Sequence, residues 1–406
     1  MNNKATVFTS GTGGHACYRI PALVRTTRGT LLLFCEARQR NCGDWTHGAI
    51  MARRCVDPVN ALDTWEEAFV VHESKRLVAP RSWPEIVEAG AFADIMGWDQ
   101  EAEGFKPRID VCTNNPVPIV DGDGETIHLV FCDHYDRAYY SRSIDDGVSW
   151  SDAVEITPVL ARFNQTWDWT VIAAGPGHGV QLKLPPHEGR LIVPFWLASN
   201  HDDPAAHRPS RVATIVSDDR GITWKPGGFV PPTIENPSES QLVEMDDGRV
   251  LMISRSEHSL DKQDPKYGRA WTTSTDGGEA WNPYRIDPSL PETVCLGSFN
   301  RHGKTLFYST CNAGGRERAN LTLFTRHMDE HAWIPSHVIE PGPAAYSDLA
   351  VDGARGIVYC AFEDGSIPGK LGPYNGISVS RIKRVPATSN YTPPNAHGTA
   401  TSRPVP

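Results

Sequence analysis

An eight-residue pattern, Ser-x-Asp-x-Gly-x-x-Trp, occurs three times in this chain and constrains its fold more than any other feature. The copies span residues 143–150, 217–224 and 274–281. In each copy the Asp carboxylate can accept hydrogen bonds from the N–H groups of a tight turn, the Gly permits a positive φ angle, and the Trp can pack beneath the turn. The pattern therefore predicts three similar β-hairpin turns with a structural rather than a catalytic role.

Short apolar runs fill the sequence between these turns. Examples are TLLLF at 30–34, TIHLVF at 126–131 and RLIVPFW at 190–196. Runs of this length, bounded by Gly, Asp, Asn or Pro, are typical of β-strands. The turns recur at intervals of roughly 50 to 75 residues, which fits one four-stranded blade of a β-propeller per repeat, with insertions. Fainter copies at 57–65 and 329–333 indicate further blades of the same kind.

The charge and the termini of the chain restrict its partners. A net charge of −10 opposes binding to nucleic acid or to an anionic membrane surface. The first residues lack the apolar core of a signal peptide, and no apolar run reaches the ~18 residues of a membrane span. We therefore expect a cytoplasmic protein that does not insert into membranes, although a secreted protein without its leader would look the same.

The cysteines argue against covalent and metal cross-links. There are nine of them, an odd number, and no C-x-x-C pair, which opposes a disulfide framework or a zinc ribbon. Cys35 and Cys360 lie in apolar runs, so we expect buried thiols. The H-E-x-x-H and G-x-S-x-G motifs of metal and serine hydrolases are absent from the sequence. We expect neither a metal nor a cofactor.

Two segments depart from the strand pattern. Residues 76–108 form a predicted insertion, in which 82–97 has the apolar spacing of an amphipathic helix beginning at Ser-Trp-Pro. Residues 386–406 are rich in Pro, Thr, Ser and Asn, which predicts a disordered tail. The main domain is therefore predicted to cover residues 1–385.

A series of short motifs gives the chain a specific resemblance. Tyr-Arg-Ile-Pro at 18–21 is followed by GTLLLFCEAR, NNPVPIVD, GPGHGVQL, SESQLVEMDDGRVLMISR, RANLT and AYSDL. With the octapeptide repeats, known as Asp boxes, these motifs make residues 10–383 resemble the exo-α-sialidases. The resemblance implies an all-β, six-bladed β-propeller of four-stranded antiparallel blades. It also implies hydrolysis of terminal α-linked sialic acid, Neu5Ac or a relative such as KDN, from sialylated glycans, with retention through a tyrosyl-enzyme intermediate.

Arginines are the expected ligands of such a substrate. A sialic acid carries a carboxylate on its anomeric carbon, and the planar guanidinium group binds a carboxylate through two parallel hydrogen bonds. The resemblance assigns this role to Arg19, Arg255 and Arg318. Arg316, two residues before Arg318, is the rival for the third position. The alternative for any one arginine is a solvated charge on the surface.

The resemblance also supplies the catalytic residues. A carboxylate nucleophile would be repelled by the substrate carboxylate, and sialidases use a tyrosine instead. Tyr346 in AYSDL matches this nucleophile, and Glu239 matches the base that a phenol needs. Glu235 and Glu244 compete for the role of base, but the motif spacing favours Glu239. Asp44 matches the acid that protonates the leaving group.

Several further residues have secondary assignments. Arg38 and Glu36 resemble residues near the sugar O4 and the first arginine, so they are expected as substrate contacts. His178, beside glycines, is interpreted as structural. Val171 and Ile172 stand where many relatives have aromatic residues, which leaves the contacts to the glycerol chain or the aglycone open.

Two other functions remain compatible with the sequence. A trans-sialidase would use the same residues but transfer the sugar to another glycan. A non-catalytic Asp-box propeller that binds glycans would need the repeats, yet it would not need both an acid and a Tyr–Glu pair. Linkage preference, the C5 substituent of the sugar and the oligomeric state have no sequence signal.

Overall fold

The structure is a computed structural model that describes residues 3–78, 109–258, 267–365 and 375–383. The regular secondary structure of these residues is almost entirely β-strand, with one short helix, α1 (Thr157–Ala161), which continues into a 3-10 turn. The fold is all-β, in agreement with the apolar runs of the sequence. Within the described ranges, no helix is long and apolar enough to cross a lipid bilayer.

The predicted insertion and the predicted tail lie largely outside the described residues. Residues 79–108, which include the predicted helix at 82–97, and the predicted tail at 386–406 are not among the described residues. On either side of the first gap, β6 (Leu77–Val78) and β7 (Ile109–Asp110) pair with each other as a two-stranded sheet. The ends of the insertion therefore lie side by side.

After β1 (Lys4–Thr9), the main strands form six antiparallel units, which differ in strand length but share one order. The first unit contains β2 (Cys17–Arg25), β3 (Leu31–Arg38), β4 (Gly48–Cys55) and β5 (Phe69–Glu73). The second contains β8 (Thr113–Val120), β9 (Ile127–Asp133), β10 (Arg137–Ser143) and β11 (Val154–Glu155). The third contains β12 (Val171–Ala174), β13 (Val180–Gln181), β14 (Leu191–Ala198), β15 (Ser210–Ser217) and β16 (Lys225–Phe229).

The later units follow the same plan. The fourth contains β17 (Ser240–Glu244), β18 (Val250–Ser254), β19 (Arg269–Ser274) and β20 (Arg285–Asp287). The fifth and sixth contain β21 (Ser298–His302), β22 (Thr305–Cys311), β23 (Ala319–His327), β24 (Ile334–Asp352), β25 (Ile357–Asp364) and β26 (Gly376–Lys383).

The 19-residue strand β24 belongs to two units. Its first half pairs with β23 up to Pro343, and its second half pairs with β25 from Ala344 onward. The sixth unit is completed by the N-terminal strand, because β1 pairs with β26 and places Lys4 opposite Ser380. The first and last described strands of the chain therefore share one sheet.

The six units contact one another in chain order. Strand β2 lies against β8, β8 against β12, β14 against β17, β17 against β21, and β21 against β24. Strand β24 in turn lies against β2, so the sixth unit also contacts the first. Residues from opposite ends of the sequence consequently meet between the first strands of the units.

The octapeptide repeats form the predicted turns. In the first copy the Asp145 carboxylate accepts hydrogen bonds from the Ser143 hydroxyl at 2.7 Å and the Ser149 N–H at 2.9 Å, and Gly147 has a φ of 82°. Asp219 and Asp276 accept equivalent bonds in the other two copies. Each turn connects the third and fourth main strands of its unit, and the prediction of structural hairpins is confirmed.

The repeat tryptophans connect neighbouring units. Trp150 packs edge-on against Phe34 of the first unit, with ring centroids 5.5 Å apart. Trp224 packs against Tyr140 of the second unit at 5.7 Å. Trp281 donates a hydrogen bond to a threonine hydroxyl on β15 of the third unit at 3.2 Å. Each tryptophan thus follows a turn in one unit and contacts the preceding unit.

A single buried carboxylate joins strands of five units. Asp348 on β24 is fully buried and accepts hydrogen bonds from the backbone N–H of Leu23 at 2.7 Å and the side chains of Gln241 and Ser298 at 2.9 and 2.7 Å. It also accepts two bonds from His178, from the backbone at 3.0 Å and from the ring Nδ1 at 2.7 Å. The structural interpretation of His178 is confirmed.

The two charged members of this network support each other. Burial alone lowers the pKa of His178, but the Asp348 carboxylate outweighs it and raises the pKa above the ordinary value. Burial raises the pKa of Asp348, whereas His178 and Gln241 more than offset it and the pKa is lowered. The pair is therefore charged over a wider pH range than the free side chains would be.

We predict that His178→Gln destabilises the fold in a pH-dependent way. A raised pKa gives His178 a contribution that is complete below about pH 6.5 and is lost as the pH rises through the folded-state value. The lowered pKa of Asp348 gives a contribution present above about pH 4 and lost at lower pH. Urea unfolding should therefore show the largest loss, about 3 kcal/mol, between these values.

The matched control for this measurement is His201→Gln. His201 also pairs with an aspartate, Asp168, at 3.2 Å, but both side chains are more than 60% exposed. Solvent screens such a pair, so the control should change stability by less than about 1 kcal/mol at every pH. Equal losses for the two variants, or a loss for His178→Gln that does not vary with pH, would contradict the prediction.

Candidate active site

Five residues that are far apart in the sequence meet between the first strands of the units. Arg19 lies on β2, Glu239 directly precedes β17, and Arg255 directly follows β18. Arg318 directly precedes β23, and Tyr346 lies in the second half of β24. The structure therefore brings together the predicted nucleophile, the predicted base and the three predicted arginines.

Tyr346, Glu239 and Arg255 form a closed hydrogen-bonded triangle. The Tyr346 hydroxyl donates a short hydrogen bond to Glu239 Oε1. Arg255 Nη1 donates to Glu239 Oε2 at 2.8 Å and to the Tyr346 oxygen at 2.7 Å. Of the three glutamates considered for the base, Glu235 is exposed and Glu244 accepts backbone N–H groups elsewhere. The contact with the phenol belongs to Glu239.

The environment of Tyr346 keeps its phenol neutral. The residue is only 6% exposed, and burial raises the pKa of the phenol well above its ordinary value. Arg255 acts in the opposite direction, and the Glu239 carboxylate raises the pKa further. A phenol in this state attacks only if a base removes its proton, and Glu239 is already in contact with that proton.

Three guanidinium groups surround the Tyr346 ring. The Cζ atoms of Arg19 and Arg318 each lie 5.3 Å from the ring centroid, and Arg255 contacts the hydroxyl. The side chain of Arg316 is 64% exposed and lies 4.0 Å from Glu257. The arginines therefore form a local positive site for an anionic group within an acidic chain, and Arg318 rather than Arg316 contributes to it.

Asp44 approaches the same site from a loop. Its carboxylate lies 3.0 Å from Arg38 Nη2 and 3.5 Å from Arg19 Nη1, and 42% of its side chain is exposed. Burial raises the pKa of Asp44, but Arg38 and Arg19 outweigh it and hold the pKa below its usual range. Asp44 is therefore ionised when no ligand competes for the two arginines.

The loop that carries Asp44 contains an unexpected covalent bond. Cys17 at the start of β2 and Cys42 form a disulfide, with Cα atoms 5.3 Å apart. The other seven cysteines are buried and carry no disulfide, as expected. The expectation of no disulfides is wrong for this pair, because an odd cysteine count says nothing about two residues that neighbouring segments bring together.

Comparison with known proteins identifies the family. A family model described as a BNR repeat-like domain matches residues 94–360, which is more than half of the chain. The chain belongs to the family of BNR repeat-like domains. This membership agrees with the resemblance that the sequence motifs carry.

Sequence relatives of this chain include bacterial and animal sialidases. A sialidase of Micromonospora viridifaciens is 28% identical over 369 residues, which cover 86% of this chain and 50% of that protein. Mouse sialidase-2 is 27% identical over 375 residues, covering 85% of this chain and 86% of that protein. A leech intramolecular trans-sialidase structure superposes with a TM-score of 0.68 at 16% identity, covering 94% of this chain and 70% of that one. The chain thus spans about half the length of its Micromonospora relative.

The residues predicted as secondary substrate contacts are arranged around Arg38. Glu36 is 1% exposed and accepts hydrogen bonds from Arg38 Nε at 3.0 Å and Nη2 at 2.6 Å. Its other oxygen accepts the Asn115 backbone N–H at 2.8 Å. The Glu36 carboxylate therefore pairs with the Arg38 guanidinium, and Glu36 lies opposite Arg19 in the pairing of β2 with β3.

Glu363 is the partner of Arg19, and the sequence reasoning missed it. It is fully buried and accepts hydrogen bonds from Arg19 Nε at 2.9 Å, Nη2 at 3.3 Å and the Ile20 N–H at 3.1 Å. Ile20 has a φ of 58°, which a β-branched residue adopts only when its surroundings enforce it. The one sequence signal for Glu363 was the presence of a carboxylate in the apolar run before Gly365.

Val171 and Ile172, where many relatives have aromatic residues, are both fully buried on β12. Beside the Asp44 loop, Trp45 and Tyr135 have ring centroids 4.8 Å apart, and the ring of His207 lies 5.1 Å from that of Tyr135. Aromatic contacts are therefore available near the site from loops that the motif comparison does not cover.

We predict that Glu363→Gln strongly destabilises the fold. The substitution removes the negative charge that compensates the buried Arg19 guanidinium, and breaking a buried ion pair costs about 3–5 kcal/mol. Glu66→Gln is the control, because Glu66 pairs with Arg54 at 2.8 Å but is 48% exposed. Its loss should stay below about 1 kcal/mol. Chemical unfolding of both variants measures the difference, and a loss for Glu363→Gln no larger than that of the control would contradict the assignment.

Proposed function

We propose that this chain is a retaining exo-sialidase that hydrolyses terminal α-linked sialic acid, Neu5Ac or a related nonulosonic acid such as KDN, from glycoconjugates. The observation that carries the proposal is the hydrogen-bonded Tyr346–Glu239 pair inside a triad of arginines. A glycan-binding module would have no use for a phenol aligned with a base. The separate carboxylate of Asp44 supplies the acid that glycoside cleavage needs.

The fold proposed with this function is a closed six-bladed β-propeller. It is supported by the six units, by their contacts in chain order and by the contact of β24 with β2. The pairing of β1 with β26 supports closure through the sixth blade. In such a ring the first strands surround a central axis, which explains how Arg19 and Tyr346 come to lie side by side.

Substrate binding begins with the carboxylate of the sugar. In the proposed complex it binds Arg19, Arg255 and Arg318, and so competes with Asp44 for Arg19. The added negative charge and the loss of this partner both favour the protonated form of Asp44. Ligand binding would thereby convert an ionised aspartate into the acid that the first step requires.

The first step forms a covalent intermediate. Glu239 accepts the Tyr346 proton as the phenol oxygen attacks the anomeric carbon, and Asp44 donates its proton to the departing glycosidic oxygen. In the second step Asp44 takes a proton from water, the hydroxide oxygen replaces Tyr346 at the anomeric carbon, and Glu239 returns the proton to the phenol. Two inversions give overall retention.

A trapping experiment tests the nucleophile. A 3-fluoro sialosyl fluoride should label the enzyme, because the 3-fluoro group slows breakdown of the intermediate more than its formation. Mass spectrometry should locate the added sugar on the peptide that contains Tyr346, and Tyr346→Phe should remain unlabelled and lose most activity on every substrate. Label on a carboxylate, or the inverted anomer as the first product detected by NMR, would overturn the mechanism.

A matched pair of substitutions tests the third arginine. Arg318→Lys keeps the charge but loses the fork-shaped donor, so KM for a fluorogenic sialoside should rise about ten- to a hundredfold. Arg316→Lys, two residues away and exposed, should leave KM within about twofold of the wild-type value. Similar KM values for the two variants would remove Arg318 from the triad. Parallel rates on Neu5Ac and KDN glycosides would identify the preferred C5 substituent.

A further inference from the structure

The Cys17–Cys42 disulfide closes the loop that carries Asp44. Residues 39–47 connect β3 to β4, and Cys42 lies two residues before Asp44. Cys17 lies two residues before Arg19, to which Asp44 is paired. The bond therefore fixes the loop to the strand whose arginine contacts both the aspartate and the Tyr346 ring.

The two sides of this loop are anchored by different interactions. After Asp44, the Trp45 ring packs against Tyr135 with centroids 4.8 Å apart, and His47 Nδ1 lies 3.0 Å from the Val111 carbonyl oxygen. Before Asp44, the carbonyl of Cys42 accepts a hydrogen bond from Arg38 Nη1 at 2.5 Å. Here the covalent bond and the Arg38 contact both act through Cys42, so the disulfide holds in place the carbonyl that Arg38 binds.

Arg38 links this anchor to the acid. The same guanidinium donates to the Cys42 carbonyl through Nη1 and lies 3.0 Å from the Asp44 carboxylate through Nη2. A shift of Cys42 would therefore change both the course of the loop and the charge that faces Asp44. A displacement of about 1 Å in a catalytic group can cost on the order of a hundredfold in rate.

We propose that the Cys17–Cys42 disulfide positions Asp44 for proton transfer, so that the oxidation state of this pair sets the activity on unactivated glycosides. The inference rests on the proposed function, since it assumes that Asp44 is the acid. A low-molecular-weight disulfide can oxidise this pair. Two protein thiols and one small-molecule disulfide then give the protein disulfide and two small-molecule thiols. Cys17 is fully buried and Cys42 partly exposed, so exchange starts at the Cys42 sulfur.

The proposal also concerns where the active form is made. Disulfides form and persist in oxidising environments and are rare in the reducing cytosol. A sialidase that depends on this bond would reach full activity in an oxidising compartment. This differs from the cytoplasmic location that the sequence alone suggests.

The test compares two leaving groups in two redox states. The first substrate is sialyl-lactose, whose alcohol leaving group needs a proton, and the second is an aryl sialoside with a good leaving group. Reduction with dithiothreitol should lower kcat on sialyl-lactose about ten- to a hundredfold and kcat on the aryl sialoside by less than about threefold. Reoxidation with oxidised glutathione should restore both rates.

Variants separate positioning from general stability. Cys17→Ser and Cys42→Ser should show the reduced-state pattern permanently and should not respond to dithiothreitol. Cys35→Ala is the control, because Cys35 is a buried thiol on β3 without a disulfide, and it should keep the wild-type ratio of the two rates and the wild-type response. Asp44→Asn gives the reference pattern for loss of the acid, namely a large loss on sialyl-lactose and a small one on the aryl sialoside.

The outcomes are distinguishable from failure of the proposed function. Alkylation and peptide mass spectrometry report the Cys17–Cys42 link whether or not the protein cleaves sialosides. The positioning role would be overturned if the disulfide is present and its reduction lowers kcat equally on both substrates, or lowers kcat on neither. Free thiols at both positions after treatment with oxidised glutathione would overturn the bond. Absence of activity on both substrates in every state would instead reject the sialidase proposal itself.

Discussion

The buried carboxylate of Asp348 accepts hydrogen bonds from the backbone of Leu23 and from the side chains of His178, Gln241 and Ser298. These partners lie in the first, third, fourth and fifth units, and Asp348 itself lies in the sixth. A charge at this depth is tolerable only because every acceptor position is used. The network is also close to the chemistry, since Asp348 and Gln241 each lie two residues after a member of the Tyr–Glu pair. The geometry of that pair therefore depends on the same contacts that hold the sheets together.

The three arginines of the site have different hydrogen-bond partners. Arg19 is held by Glu363 and Arg255 by Glu239, which reduces the cost of burying each guanidinium. Arg318 instead donates to a backbone carbonyl at 3.0 Å, and no carboxylate pairs with it in the described parts of the chain. The cluster thus keeps an uncompensated cation beside the phenol. A chain with a net charge of −10 can in this way present a local site for an anionic sugar.

Rigid and adaptable parts have separate roles in this arrangement. The proposed nucleophile, its proposed base and the arginines lie on strands or next to them, where sheet pairing fixes the backbone. Asp44, the proposed acid, lies on a loop and is 42% exposed. Contacts that hold this loop include the Cys17–Cys42 disulfide, hydrogen bonds from Arg38 and Asn114, and the packing of Trp45. Such a division suits the proposed mechanism, in which Asp44 changes its protonation state when the substrate binds while Tyr346 stays aligned with Glu239.

Local signals in the sequence are sufficient to predict the strands, the turns and a set of candidate site residues. The octapeptide defines its own hydrogen bonds within a few residues, and the motifs around Arg19 and Tyr346 are contiguous. The contacts of those residues, in contrast, follow only from the tertiary structure. Glu363 lies 344 positions from Arg19, and the partners of Asp348 are spread over most of the chain. Likewise, Cys17 and Cys42 become neighbours when β2 and β3 pair. Such contacts depend on how the sheets pack, and no local pattern in the sequence records that packing.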